Sequence, residues 1–164
     1  MKNGKLSSNM EDYLEAVAVL KQEKGAARVR DIGRLLNVKK PSVTSALNTL
    51  SRAGLVLHER YGYVDLTPEG QKIASGVQSR HNILVKFLTK ILSITPRIAV
   101  EDACRLEHSI SAATLEKLTK FIAFVETCPD SRRPDWLNSF DHYFKTGKRR
   151  RCEIRKVKAQ IYVK

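Results

Sequence analysis

Apolar residues recur at helical period over residues 8–22, where Met10, Leu14, Val17 and Leu20 fall on one side and Ser7 or Ser8 is placed to cap the helix. A second, shorter helix is predicted from about Val29 to Leu36, with Val29, Ile32, Leu35 and Leu36 on one face. Asn37-Val38-Lys39 then reads as a tight turn. A third helix opens with Pro41 in its first turn, where proline is well tolerated. Its apolar positions Val43, Ala46, Leu47 and Leu50 form an i, i+3, i+4, i+7 stripe, and Gly54 ends it as a left-handed cap. From Leu55 to Leu66 two β-prone runs flank a turn containing Gly62, which predicts a hairpin. Two short helices joined by a three-residue turn and followed by a hairpin predict a winged helix-turn-helix.

The second half reads as helical. Thr67-Pro68-Glu69 is a strong start, with a threonine cap, proline in the first position and an acid in the first turn. The helix it opens runs to about Leu92 on Ile73, Val77, Leu84, Phe87, Leu88 and Ile91, and His81 falls near that stripe. Thr95-Pro96 breaks the chain. Further helices are predicted over Ile98–Ser109, over Ser111–Glu126 (Leu115, Leu118, Ile122, Val125), and around Pro134–Phe144 beside Trp136. The expected fold class is mainly α: a winged helix-turn-helix over residues 1–70, a helical domain over 71–144 and a basic tail over 145–164. These helices carry more apolar faces than one small layer needs. A self-associating surface, hence a homodimer, is the simplest use for the surplus.

Composition adds the partner. The 164 residues carry a net charge of +13 and a pI near 9.9, which calls for a polyanion. The tail holds nine Lys or Arg against Glu153 alone, a net of +8, which leaves +5 for residues 1–144. That tail is expected to attract phosphate without sequence preference. The outer face of the third helix, Lys39, Lys40, Pro41, Ser42, Thr44, Ser45 and Asn48, suits a DNA groove. Ser, Thr and Asn bond base edges and phosphates, and their small size allows close approach. Arg60, Tyr61 and Tyr63 of the hairpin are placed to touch the DNA backbone or minor groove. No apolar run approaches membrane-spanning length and no secretory signal is present, so no membrane partner and a cytoplasmic location are expected. Three cysteines, at 104, 128 and 152, do not form a disulfide framework. Cys128, His142 and Cys152 match no zinc-finger spacing either.

Cys104, Glu107 and His108 stand at i, i+3 and i+4, which on a helix puts a thiol, a carboxylate and an imidazole on one face. Such a set suits iron, zinc, cobalt or manganese better than calcium or magnesium. Asp12 and Glu15 form a second i, i+3 carboxylate pair, and His81 stands alone in a third segment. Spacing alone slightly favours a bland alternative: a cysteine in a core, and a glutamate and histidine in solvent.

Four separated motifs occur in an order that resembles the diphtheria-toxin-repressor and manganese-transport-regulator family. They are Met10-Glu11-Asp12-Tyr13-Leu14-Glu15, Leu66-Thr67-Pro68-Glu69-Gly70 after the winged helix, Arg80-His81, and Ala103-Cys104-Arg105-Leu106-Glu107-His108. The likeness spans about residues 8–127. It implies a dimeric, metal-activated transcriptional repressor of metal-uptake genes, with a helical metal-binding and dimerisation domain. Matched position by position, it nominates Asp12, Glu15, His81, Cys104, Glu107 and His108 as ligands. Asp12 and Glu15 resemble the manganese-sensing branch, and Cys104 the iron-sensing branch. The ancillary site of the iron branch would want a carboxylate and a histidine where Val85 and Val100 stand, and the SH3-like domain of that branch is not expected here.

The expectation is therefore a regulator and not an enzyme, with iron(II) as the favoured co-repressor and manganese(II) as the second choice. Two rivals are a metal-independent winged-helix regulator answering to a small ligand or to thiol oxidation, and a metallohydrolase, because carboxylate and histidine clusters also activate water. Against the hydrolase, the sequence offers no general base beyond the ligands and no Gly-rich substrate loop.

Overall fold

The long helix opened by Thr67 contributes to both hydrophobic clusters of the protein, and that sharing positions the site. In the computed structural model, residues 6–58, 62–128 and 134–149 are described. Their elements run α1 (Ser8–Lys24), β1 (Ala27–Arg28), α2 (Val29–Leu35), α3 (Lys40–Arg52), β2 (Val56–His58), β3 (Tyr63–Leu66), α4 (Pro68–Lys86), a π-helical turn (Phe87–Ile91), α5 (Pro96–Leu106), α6 (Ala112–Glu126) and α7 (Asp135–Thr146).

The first cluster joins the stripes of α1 and α3 to the hairpin. Leu14, Val17, Ile32, Val43, Leu47 and Leu50 are fully buried there, and Ala74 of α4 closes it. Between α2 and α3 the chain reverses at Asn37, whose φ of 54° is left-handed, while Val38 N–H donates to the Gly33 carbonyl at 2.9 Å. Gly54, at φ 72°, ends α3, and Leu55 N–H reaches back to the Leu50 carbonyl at 2.9 Å. The wing is three-stranded and antiparallel in the order β1-β3-β2, with Ala27 opposite Val64 and Val56 opposite Leu66. The two-residue strand β1 is an addition to the predicted elements. Too short to show alternation, it forms because β3 offers it a free edge.

Thr67 is the joint between the halves. Its hydroxyl accepts from Gly70 N–H at 3.1 Å and donates to the Gly54 carbonyl at 2.8 Å, fixing the start of α4 against the end of α3. A Cβ at Gly70 would lie 1.9 Å from the Leu55 carbonyl oxygen, so only glycine allows this approach. The second cluster holds Leu84, Leu88, Ala99 and Ala103. The α4 helix ends in a π-turn, where Leu92 N–H donates to the Phe87 carbonyl at 3.3 Å. The C-terminal α7 attaches through the buried Leu137 and through Trp136, 6.0 Å from Phe121.

The α5 helix begins at Pro96 and stops at Leu106, short of the predicted Ser109. Ser109 and Ile110 N–H both close on the Leu106 carbonyl, at 2.9 and 3.0 Å, and Ser111 then caps α6. Glu107 and His108 thus sit in the turn beyond α5. Phe124 (67% exposed) and Phe144 (77%) leave large apolar surface uncovered in this half. No helix among the described residues is long and apolar enough to cross a membrane.

Candidate metal centre and DNA-facing helix

Three of the sequence-nominated groups meet most closely. One ligand atom from each of Asp12, Glu107 and His108 lies within 4.8 Å of the others. Asp12 comes from α1, while Glu107 and His108 come from the turn after α5, so the group joins the two halves. Glu107 is 1% exposed and is the one charged residue buried to that degree among the described residues. His81 of α4 donates from Nδ1 to Glu107 Oε2 at 2.7 Å. That bond leaves Glu107 Oε1 buried without a hydrogen bond, 3.4 Å from His108 Nε2. His108 Nε2 is also buried, and it lies 2.8 Å from Asp12 Oδ1 yet out of line for a hydrogen bond to it.

Electron-rich atoms packed this way repel one another unless a proton or a cation stands between them. Burial raises the Glu107 carboxyl above its usual range, and the Glu15 charge adds to this against the opposing bond from His81. Burial likewise raises Glu15, with Asp12 adding to it and His81 and His108 opposing. Burial alone would lower His108. The hydrogen bond to Glu11 and the charges of Asp12 and Glu107 outweigh it, and the imidazole is held above its ordinary value. Orphaned, inward-facing oxygen and nitrogen donors of this kind fit a divalent transition ion.

Cys104 departs from the spacing-based picture. It is exposed on α5, outside the tight trio, whereas Glu107, which still closes the helical bond to the Ala103 carbonyl, is fully buried. It still feels the site: partial desolvation of its thiol by the surrounding protein raises its pKa, as do the charges of Glu107, Asp12 and Glu15. Glu15 and His81 stand at the edge of the same group, coupled to it by charge and by the Glu107 bond. Sequence reading passed over Glu11. Its Oε2 accepts from His108 Nδ1 at 2.9 Å and from Arg80 Nη2 at 2.7 Å. Only the presence of Glu11 directly before Asp12, in Glu11-Asp12-Tyr13-Leu14-Glu15, hints at a third acidic group there.

On α3 the outward residues Lys39, Lys40, Pro41, Ser42, Thr44, Ser45 and Asn48 are all exposed, opposite the buried stripe. The Thr44 hydroxyl donates to the Lys40 carbonyl at 3.1 Å, which leaves its lone pairs outward. Beside the turn, a surface hollow is lined by Arg30, Arg34, Asn37, Lys39 and Lys40. Tyr63 of the wing is half-buried and engaged by Arg28, which bonds its hydroxyl and sits 4.7 Å over its ring. Arg60, Tyr61 and the basic tail from residue 150 lie outside the described residues.

Two family models match this chain. The iron dependent repressor N-terminal DNA binding domain matches residues 5–64, and the iron dependent repressor metal binding and dimerisation domain matches residues 67–134. The transcriptional regulator MntR of Salmonella typhimurium is 37% identical over 117 residues, covering 71% of this chain and 72% of that protein. The HTH-type transcriptional regulator MntR of Bacillus pumilus is 34% identical over 118 residues, covering 72% and 81%. The crystal structure of IdeR from T. acidophilum aligns with a TM-score of 0.65 at 27% identity, over 73% of this chain and 55% of that one. The chain thus spans about half the length of that solved neighbour. With both of its halves matched, the chain belongs to the iron-dependent repressor family, the diphtheria-toxin-repressor and manganese-transport-regulator group of metal-dependent transcriptional regulators.

Proposed function

We propose that this protein is a cytoplasmic, homodimeric repressor of metal-uptake genes, holding a divalent transition ion through Asp12, Glu107 and His108 with Glu15, His81 and Cys104 around them. The buried, unbonded Glu107 Oε1 facing His108 Nε2 carries the reading, because a protein does not normally bury two such atoms together without something to share between them. When bound, the ion supplies the positive charge that these donors lack. The chain's own residues do the rest. Asp12 holds the DNA-binding half, Glu107 and His108 hold the helical half, and His81 orients Glu107 from α4.

In a homodimer, fixing the two halves sets the separation of two α3 helices, which must match DNA half-sites about 34 Å apart or a multiple of that. Exposed Ile98, Val100 and Leu106 on α5 support self-association. On this reading Ser42, Ser45 and Asn48 choose sequence, while Lys39, Lys40 and Arg60 meet phosphates. Iron(II) is the favoured ion and manganese(II) the second. Affinity rises along the series from manganese to iron, and a Cys104 thiolate adds a softer donor to an otherwise hard set.

The test is an operator-shift assay with and without chelator, repeated across iron(II), manganese and zinc. Equal DNA affinity of the metal-free and metal-loaded protein removes the reading. Cys104→Glu, which supplies the oxygen donor of the manganese branch, should move the ranking toward manganese. An unchanged ranking takes Cys104 out of the ligand set.

A further inference from the structure

We propose that Glu11, anchored by Arg80, is a positioning residue that orients the His108 ring toward the metal and ties α1 to α4 before any metal binds. This rests on the metal-site reading above. Glu11 is a carboxylate whose side chain is only 12% exposed. Such a group is costly to bury unless its oxygens are bonded. Both partners of its Oε2 come from the other half of the chain, 69 and 97 residues away. Neither bond stabilises α1 itself; each crosses the joint between the two halves.

The bond to His108 fixes chemistry as well as position. A carboxylate can only accept, so Nδ1 carries the proton and Nε2 is left as the nitrogen facing Asp12 and Glu107. Donation to a carboxylate from the far side of the ring holds a ligating histidine in one tautomer and raises its basicity. Arg80 in turn holds Glu11 and keeps that oxygen away from the ligand cluster. Its side chain is 26% exposed and lines the same 360 Å³ cavity as Glu11, Glu107 and His108. Glu11 is therefore distinct from the ligands: it touches the back of the imidazole, and the cluster that brings three ligand atoms together does not include it.

The experiment measures cobalt(II) affinity and the cobalt(II) visible spectrum of the full chain, without DNA, for wild type, E11Q, E11A, R80A, E11A/R80A and H108A. Each variant's metal-free melting temperature is recorded alongside. E11A is expected to bind cobalt(II) about 10–100-fold more weakly, the range for loss of an outer-shell carboxylate, with a shifted visible band. E11Q keeps an accepting oxygen but loses its charge, so its loss should be smaller, about three- to tenfold. R80A should weaken binding in the same direction. E11A/R80A should fall within twofold of E11A, because Arg80 acts through Glu11. A purely structural ion pair would lower the melting temperature and leave affinity and spectrum alone. If E11A and E11Q, or E11Q alone where E11A does not fold, bind cobalt(II) within twofold of wild type while H108A does not, the inference is overturned. If H108A also binds like wild type, the metal-site reading falls, and the inference with it.

Discussion

Glu107→Gln should move the metal-free and metal-bound proteins in opposite directions. The change keeps shape and volume, and the amide carbonyl can still accept from His81 Nδ1 where Oε2 now does. In the metal-free protein, at a pH high enough that Glu107 and His108 have shed their protons, it removes a fully buried charge crowded by Glu15 and gives the orphaned position an N–H able to reach His108 Nε2, 3.4 Å from Oε1. Relieving a buried, unbonded polar group is worth roughly 1–3 kcal/mol, or about 2–12 °C in melting temperature for a chain of this size. With metal the order reverses wherever that relief is below about 2.7 kcal/mol. At an ion concentration about 1,000 times the wild-type dissociation constant, binding adds about 4.1 kcal/mol, or about 8–16 °C. A loss of about 100-fold in affinity leaves an excess of about tenfold, worth about 1.4 kcal/mol, or about 3–6 °C. Thermal melts of both proteins, with chelator and with manganese(II), measure all four values. A Glu107→Gln protein that melts below wild type without metal and gains as many degrees with it would refute the reasoning.

Three further outcomes follow from the same geometry. Glu15, Glu107 and His108 are all held above their ordinary values, so the folded metal-free protein keeps protons that the unfolded chain releases. Their contribution to stability should fall as pH rises, through the window above the free carboxylate value for the acids and above 6.5 for His108. Metal binding expels those protons, so the stabilisation by metal should grow over the same range, which denaturant melts at several pH values will show. On α3, Lys39→Ala and Lys40→Ala should each flatten the slope of log affinity against log salt by about 0.9 and weaken binding to all DNA alike. Ser42→Ala and Asn48→Ala should instead change the preferred sequence at nearly constant slope; an unchanged slope for Lys40→Ala would show that it meets no phosphate. Gly70→Ala should cost at least about 1–3 kcal/mol in urea melts, because the new methyl meets the Leu55 carbonyl, backbone that cannot turn aside.

The helices were legible wherever one periodicity was sustained. All four stripe positions of α3 are buried and the expected polar residues are exposed, and Gly54 and Thr67 end and start their helices as their chemistry requires. Legibility failed where structure depends on partners distant in sequence. Two residues of β1 carry no pattern of their own, and Tyr63 reads as a free aromatic until Arg28 is seen across the strand pair. At the candidate centre, i, i+3, i+4 spacing assumes an unbroken helix. Glu107 follows that geometry and His108 already lies in the turn beyond it, and spacing could not show that Glu107 is buried while Cys104 stays exposed. Spacing also could not show which carboxylate of α1 meets which imidazole, so Glu11 was passed over in favour of its neighbours.

How a change at Asp12 could reach DNA depends on what can move. Over 17 residues α1 spans about 26 Å, with Glu11 and Asp12 near one end and Lys21, bonded to Asp65 of β3, near the other. Its middle, Leu14 and Val17, is fully buried in the first cluster together with Val43, Leu47 and Leu50 of α3. A core packed to that degree resists internal rearrangement. The exposed Lys21–Asp65 pair is too weak to steer the wing by itself, at well under about 1 kcal/mol. So α1, α3 and the wing should respond as one body. The freedom that remains is the orientation of this body, with the start of α4 that Thr67, Gly70 and Ala74 pack into it, against the rest of the helical half, across the contacts of Glu11 and Asp12 with Arg80 and His108. On the proposed reading, an ion at that joint need not reshape the DNA-binding unit at all. It has only to narrow the angles at which two such units are presented, which suffices to select DNA spacing in a dimer.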